Sequence, residues 1–230
     1  MRVLIGRDTT ELSELYAAPA DAWWRVNMIS SVDGAATGAD GLSGTINNHA
    51  DKQVFDTLRA LCDAVLVGAG TARAEGYGAL DRPLVLVSRR GEVPEGLRSA
   101  GPGQVRLATV SSAEHLAEAR AVLGAEHVYV VGEYRVDLVA LRAELLARGL
   151  HHVLCEGGPH LLRDLLDQGV VDELDVTTVA SVLAGDHPRI TAGQPVDVPL
   201  RLHSLLEDDG TLLARWWVAR CTPVPASRVS

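Results

Sequence analysis

The chain has 230 residues, of which 47% are hydrophobic, 22% charged and 4% aromatic. That composition excludes global disorder, and at about 150 residues per domain the length fits one large domain or two small ones. Acidic residues outnumber basic ones by 30 to 21, and the net charge of −9 repels nucleic acid and anionic membranes while leaving local arginines free to hold a small anion.

No apolar run approaches the ~20 residues that span a bilayer. The opening Met1-Arg2-Val3-Leu4-Ile5 is followed at once by Gly6-Arg7-Asp8, so it lacks the apolar stretch of a signal peptide. A cytoplasmic protein with no membrane partner is expected. Cys62, Cys155 and Cys221 are scattered and form no CxxC pair, so neither a disulfide framework nor a metal site is expected.

In chain order, short Val/Leu-rich runs predict strands at residues 25–29, 64–67, 84–87, 105–108, 128–131 and 152–155. Several lack polar alternation, as strands buried on both faces do. Helical patterns fall between them. Asn47 or Asn48 caps a helix whose apolar positions are Val54, Leu58 and Leu61. Ser111-Ser112-Ala113-Glu114 has the form of a capping box for a helix running to Gly124. Asp137 caps residues 138–148 with Gly149 as the stop, and Pro159 opens a helix ended by Gly169.

From Glu173 the pattern turns to strands at 175–179, 201–205 and 212–220, with Asp208-Asp209-Gly210 as a hairpin turn. The expectation is an α/β fold, three-layer αβα, with a mainly parallel central sheet and antiparallel strands at the C-terminal end. One domain covers residues 1–230, with its core at 22–220 and a frayed tail at 222–230. Of the pairs Trp23-Trp24 and Trp216-Trp217, one ring each must face something other than the core. The C-terminal strands are therefore a candidate homodimer interface.

Two glycine-marked junctions between strand and helix suit phosphates. In Val67-Gly68-Ala69-Gly70-Thr71 the backbone can approach a ligand closely, although the G-x-G lacks the third glycine of a dinucleotide fingerprint. In Cys155-Glu156-Gly157-Gly158-Pro159-His160 a carboxylate and a Gly-Gly pair precede a helix N-terminus. Two such junctions in one sheet point to a dinucleotide. Ser88-Arg89-Arg90 ends a third strand where a 2′-phosphate-selecting arginine would stand, favouring NADPH. No H-E-x-x-H, G-x-S-x-G or zinc-deaminase pattern is present, which argues against those hydrolytic chemistries.

Taken in order, Met28-Ile29-Ser30-Ser31-Val32-Asp33-Gly34, Leu58-Arg59-Ala60, the segment from Asp63 to Thr71, Cys155-Glu156-Gly157-Gly158 and Val171-Asp172-Glu173-Leu174 carry a resemblance. They resemble the reductase domain of riboflavin biosynthesis, the RibD C-terminal family, which has a dihydrofolate-reductase-like fold. The run at residues 73–78 looks like a stand-alone actinobacterial branch. The resemblance implies an oxidoreductase that converts a ribosylamino-pyrimidine 5′-phosphate, such as 5-amino-6-(5-phosphoribosylamino)uracil, to the ribitylamino compound with hydride from NADPH.

Carried over by position, Ser43, Arg59 and Arg82 fall on substrate contacts, and Glu156 near the substrate ribose. Thr45, Thr71, Glu75, Gly158, Pro159, His160, Leu161 and Leu162 fall on NADP contacts, with Ile29 as a backbone contact. Gly68, Gly70, Ser88, Arg89 and Gly157 complete the expected cofactor site. Glu156 is the first candidate to orient the substrate or relay a proton, and Asp33 the second. The family's Asp-Asp-Pro is Glu75-Gly76-Tyr77 here, and an aromatic position is Thr45. Two alternatives stand beside this reading: a reductase of a dihydrofolate-like pterin, for which a buried carboxylate is the mark, and a dimeric NADP(H)-binding module without turnover.

Overall fold

The computed structural model describes residues 1–7, 9 and 11–219, so the expected tail at 222–230 lies outside the described residues. Ten strands join one sheet: β1 (Arg2–Ile5), β2 (Trp23–Ser31), β3 (Ala64–Gly68), β4 (Leu84–Val87), β5 (Val105–Thr109), β6 (Val128–Val130), β7 (His152–Cys155), β8 (Glu173–Val179), β9 (Leu200–Asp208) and β10 (Thr211–Val218). Their spatial order is β1-β9-β10-β8-β2-β7-β3-β4-β5-β6. From β8 through β6 every pairing is parallel, whereas β10 pairs antiparallel with β8 and β9, and β9 with β1.

Six α-helices among the described residues are α1 (Leu12–Leu15), α2 (His49–Ala60), α3 (Ala69–Ala74), α4 (Leu116–Leu123), α5 (Leu138–Ala147) and α6 (Pro159–Asp167). Alternate residues of the central strands face opposite layers, as the two-residue strand period requires. Ala64 and Leu66 join a core with Leu141 and Leu145 of α5 and Leu162 and Leu165 of α6. Val65 and Val67 join the other, with Val54 and Leu58 of α2 and Ala119 of α4. Both faces of β3 are thus covered, which explains its unbroken apolar run.

The caps follow the sequence closely. Asn48 Oδ1 accepts from the Asp51 amide at 3.1 Å, and Asp137 Oδ1 from the Ala140 amide at 2.8 Å. Pro159 stands in the first turn of α6. The hairpin at Asp209-Gly210 has φ of 47° and 78°, as a tight two-residue turn demands.

Three features differ from the sequence reading. The helix expected from Ser111 begins only at Leu116. The serines are used elsewhere: the Ser111 amide donates to Gly132 O at 3.0 Å, and Ser112 donates through both its amide and its hydroxyl to Glu133 O. β1 was not among the strands read from the sequence, and it covers the edge of β9. β10 lies between β8 and β9 rather than at an edge. Trp216 packs on the core, and Trp217 is half-buried, stacked on His203 at 4.1 Å with its centroid 5.8 Å from that of Trp23. The second ring of the C-terminal doublet thus faces His203 and Trp23. No helix among the described residues is long and apolar enough to cross a membrane.

Candidate active site

Two cavities open along the carboxyl ends of the parallel strands, where ligands bind in open α/β sheets. The first, about 370 Å³, is walled by Asn27, Met28 and Ile29 of β2, Asp51, Phe55 and Arg59 of α2, and by Ser43, Thr71, Glu75, Tyr77 and Glu156. The second, about 690 Å³, is lined by both glycine junctions and by Ser88 and Arg89. Thr71 lines both, so the two are neighbours.

Glu156 extends from the end of β7 into the first cavity. Its side chain is 1% exposed, and both oxygens are taken. Arg59 Nε donates to Oε1 at 2.6 Å and Nη2 to Oε2 at 2.7 Å, while the Tyr77 hydroxyl donates to Oε2 at 2.7 Å. The carboxylate raises the proton affinity of the Arg59 guanidinium, and burial followed by the Glu156 charge pushes the Tyr77 phenol far up. The phenol is therefore a permanent donor. Arg59 also lies over the Phe55 ring at 4.3 Å. A carboxylate held by three donors on two side chains is an orienting anchor for its neighbours.

Glu75 lines the same cavity and accepts from both the Ser43 amide and the Ser43 hydroxyl at 3.0 Å. That bond ties the glycine-rich loop at residues 38–45 to the end of α3. Asp51 lies on the same helical stripe as Val54 and Leu58, is 3% exposed, and has one carboxylate oxygen without a partner. Burial raises its pKa, against the smaller opposing effect of the Thr177 hydroxyl. Asn27 Oδ1 is likewise buried without a partner.

The second cavity is made by glycine. Gly68 N donates to Gly157 O at 3.0 Å, which joins the two junctions directly. A Cβ on Gly158 would lie 2.3 Å from Thr71 Oγ1, so only glycine permits this approach. Arg73, Arg89, Arg90, Arg135 and Arg163 line the space against Glu92 and Asp164. Arg73, Arg90, Arg135 and Arg163 each have a carboxylate within 4 Å; no such partner is seen for exposed Arg89 among the described residues. A glycine-lined, arginine-rich cleft opening at a helix start fits a phosphate-bearing dinucleotide.

The structure brings most of the expected residues together. Ile29, Ser43, Arg59, Glu75 and Glu156 line the first cavity, Thr71 both, and Gly68, Gly70, Ser88, Arg89, Gly158, Pro159, His160 and Leu161 the second. Gly157 contributes its carbonyl and a φ of 104°, while Leu162 is fully buried in the core. Others lie elsewhere. Thr45 donates to Asp40 Oδ1 and Leu42 O at 2.9 Å, closing its own loop. Arg82 donates through Nη1 to the carbonyls of Arg59 and Cys62 and pairs with Asp81 at 2.9 Å, bracing the end of α2 from outside the cavity.

Asp33 accepts from the amides of Leu183 and Ala184 at 3.2 and 2.7 Å and from the Ser31 hydroxyl, which lowers its pKa to about 2. It clasps a loop and lines neither cavity. Asp51, Asn27 and Phe55 were missed by the sequence reading. The signal for Asp51 was available, since a charge three residues before Val54 and seven before Leu58 falls on the apolar stripe.

Comparison with known proteins decides what this arrangement belongs to. The model of the RibD C-terminal domain matches residues 22–214. The chain belongs to that family. A relative from Archaeoglobus fulgidus, named 2,5-diamino-6-ribosylamino-4(3H)-pyrimidinone 5′-phosphate reductase, is 30% identical over 187 residues, covering 74% of this chain and 85% of its own. One of the same name from Methanothermobacter thermautotrophicus is 28% identical over 186 residues, 75% of this chain and 84% of its own.

Among solved structures, a pyrimidine reductase-like protein from Corynebacterium diphtheriae has a TM-score of 0.75 at 23% identity, covering 86% of this chain and 92% of that one. The RibD protein of Acinetobacter baumannii gives 0.67 at 21% identity, covering 86% of this chain and 58% of that one. These structures share the RibD-type reductase fold. Membership of this family of reductases brings with it a nicotinamide cofactor.

Proposed function

We propose that this chain is the riboflavin-pathway reductase that converts a ribosylamino-pyrimidine 5′-phosphate to its ribitylamino product with NADPH. The observation that carries the reading is Thr71, shared between a glycine-lined, arginine-rich cleft and a cavity walled by carboxylates and an arginine. A dinucleotide in the cleft and a ring in the cavity meet there. The nicotinamide supplies the hydride.

In its open-chain form the substrate carries a C1′=N bond; C1′ receives the hydride, and the nitrogen receives a proton. The protein's residues orient these partners and exclude water. Arg59, fixed by Glu156, presents a cation at the cavity wall for the phosphorylated sugar chain. Glu75 holds the Ser43 loop over the opening. Arg89, exposed in that cleft, would hold a 2′-phosphate, which supports NADPH over NADH.

NADPH oxidation, followed with the ribosylamino-pyrimidine phosphate beside dihydrofolate, tests the reading. Turnover of the first and none of the second is the expected result. The reverse would establish the pterin reading, which the buried Asp51 favours. NADPH binding without oxidation of either would establish a binding module.

A further inference from the structure

We propose that Asp175 and Glu173 share one proton beneath the ring cavity, and that neutral Asp175 is the positioning residue for Asn27 in the cavity wall. The positioning half rests on the function proposed above; the shared proton does not.

Glu173 and Asp175 stand two residues apart on β8 and so share one face of the sheet. In the ladder with β2, Asp175 lies beside Asn27, which lines the ring cavity. Glu173, Asp175 and Asn27 are buried, at 0%, 2% and 8% exposure. Both oxygens of Asp175, Oε1 of Glu173 and Oδ1 of Asn27 have no hydrogen-bond partner. Buried acceptors without donors are costly, and native structures rarely gather them side by side.

The groups packed around Asp175 do not supply the missing hydrogens. Arg215, opposite it on β10, donates to Glu173 Oε2 at 2.6 Å and to the carbonyls of Leu15 and Ala17, while its Nε meets no acceptor. Arg25 on β2 donates to Tyr16 O at 2.9 Å, and its Nε is 3.6 Å from Glu173 Oε1. The Tyr16 phenol is neutral, since burial pushes its pKa well up. From α2, Asp51 adds only another carboxyl, held by the Thr177 hydroxyl.

One proton resolves the cluster. A neutral carboxyl offers a hydroxyl and a carbonyl, where a carboxylate only accepts. The Asp175 hydroxyl donates to Glu173 Oε1 in a charge-assisted bond, and the Asp175 carbonyl accepts from the Asn27 amide nitrogen. Asn27 Oδ1 is then turned to the cavity as a fixed acceptor. Burial, followed by the Glu173 charge, raises the Asp175 pKa against the opposing charges of Arg25 and Arg215, and its hydrogen bond with Glu173 acts in the same direction.

The test compares wild type with Asp175→Asn, whose amide copies the donor and acceptor of a neutral carboxyl, and with Asp175→Val, which has neither. At about pH 8, where an ordinary carboxyl is ionised, wild type should show the infrared C=O stretch of a protonated carboxyl, and Asp175→Asn should lack it. A carboxyl whose pKa is raised by folding loses its contribution as pH rises. Wild type should therefore weaken relative to Asp175→Asn above about pH 4, by up to about tenfold in the folding equilibrium per pH unit. KM for the ribosylamino-pyrimidine phosphate should rise about tenfold in Asp175→Val and stay within about twofold in Asp175→Asn, with NADPH affinity unchanged in both.

Absence of the infrared band, or parallel stability curves, overturns the shared proton. A KM raised alike in both variants, or in neither, overturns the positioning of Asn27. If Asp175→Val fails to fold, Asp175→Ser, too short to reach both neighbours, takes its place in that comparison. No turnover by wild type defeats the proposed function and the positioning role with it, while the band and the stability curves still decide the proton.

Discussion

Arg59 and Glu156, 97 residues apart, are joined by two parallel hydrogen bonds of 2.6 and 2.7 Å. The pair is lopsided, with the arginine side chain 29% exposed and the carboxylate 1%. Removing the arginine therefore strands a buried charge, whereas removing the charge leaves an arginine that water can reach. Arg59→Ala is expected to cost about 3 kcal/mol in urea unfolding, the lower end for breaking a buried pair. Glu156→Gln should lower kcat at least about tenfold while NADPH affinity moves less than about twofold. Unchanged turnover would remove Glu156 from the mechanism.

The Tyr77 hydroxyl is the third donor to Glu156, at 2.7 Å. Tyr77→Phe should lower stability by about 1 kcal/mol, one hydrogen bond. Substrate turnover should fall about 5–10-fold with the cofactor dissociation constant unchanged. Because the phenol titrates far above neutrality, the substitution should leave the pH profile between 6 and about 9 parallel to that of wild type.

Gly158 and Thr71 make a coupled pair across the two junctions. Gly158→Ala drives a methyl onto Thr71 Oγ1, 2.3 Å from the ideal Cβ, while the next atom, Thr71 Cβ, is at 3.6 Å. The single variant should lose NADPH binding by more than about tenfold. In the double variant with Thr71→Ala much of that clash is relieved, so the two effects should be non-additive. Additive losses would show that the contact is not the cause.

Arg89 lines the glycine- and arginine-rich cleft, and among the described residues no carboxylate pairs with it. Arg89→Gln is expected to reduce the preference for NADPH over NADH by about tenfold, by weakening NADPH alone. Equal affinities of wild type for the two cofactors would remove the 2′-phosphate role.

Asp33 titrates at about 2 because the Ser31 hydroxyl and the Ala184 and Leu183 amides favour its charge. A carboxyl whose pKa is lowered by folding stabilises the fold above its unfolded value near 4 and loses that contribution as pH falls through about 2. Hydrogen exchange at the amides of 183 and 184 should stay slow at pH 5 and accelerate below pH 3, more than at the neighbouring Ala36 amide, which donates to Pro188 O at 2.8 Å. Asp33→Ala should make the two loop amides fast at every pH.

The sequence was most legible where local chemistry decides structure. Asn48 and Asp137 cap helices and Pro159 opens one as read, and the glycine junctions line the second cavity. It was least legible where a partner from far along the chain decides. Ser111 and Ser112 look like caps until residues 132 and 133 claim them. Arg82 looks like a phosphate ligand until the carbonyls ending α2 claim its guanidinium. Asp33 and Glu156 are alike as loop carboxylates, and only the amides beyond Val182 and the arginine on α2 separate a clasp from a site residue. Asp51 shares the apolar stripe of α2, of which the sequence reading named only Val54, Leu58 and Leu61.

The central strand β2 draws its neighbours from β7 and β8, and the Trp24 amide reaches Asp172 across 148 residues. Among the described residues, Asn27, Met28 and Ile29 therefore have no strand partner until the chain beyond residue 173 has arrived. Pairing at that separation is slow, since a long loop must close before any contact repays it. Helices and the β3-β4-β5 layer can assemble from nearby residues, but the ring cavity cannot. Ligand binding thus reports the final stage of folding, and a nascent chain that has not reached β8 is structured in part yet blind to its substrate.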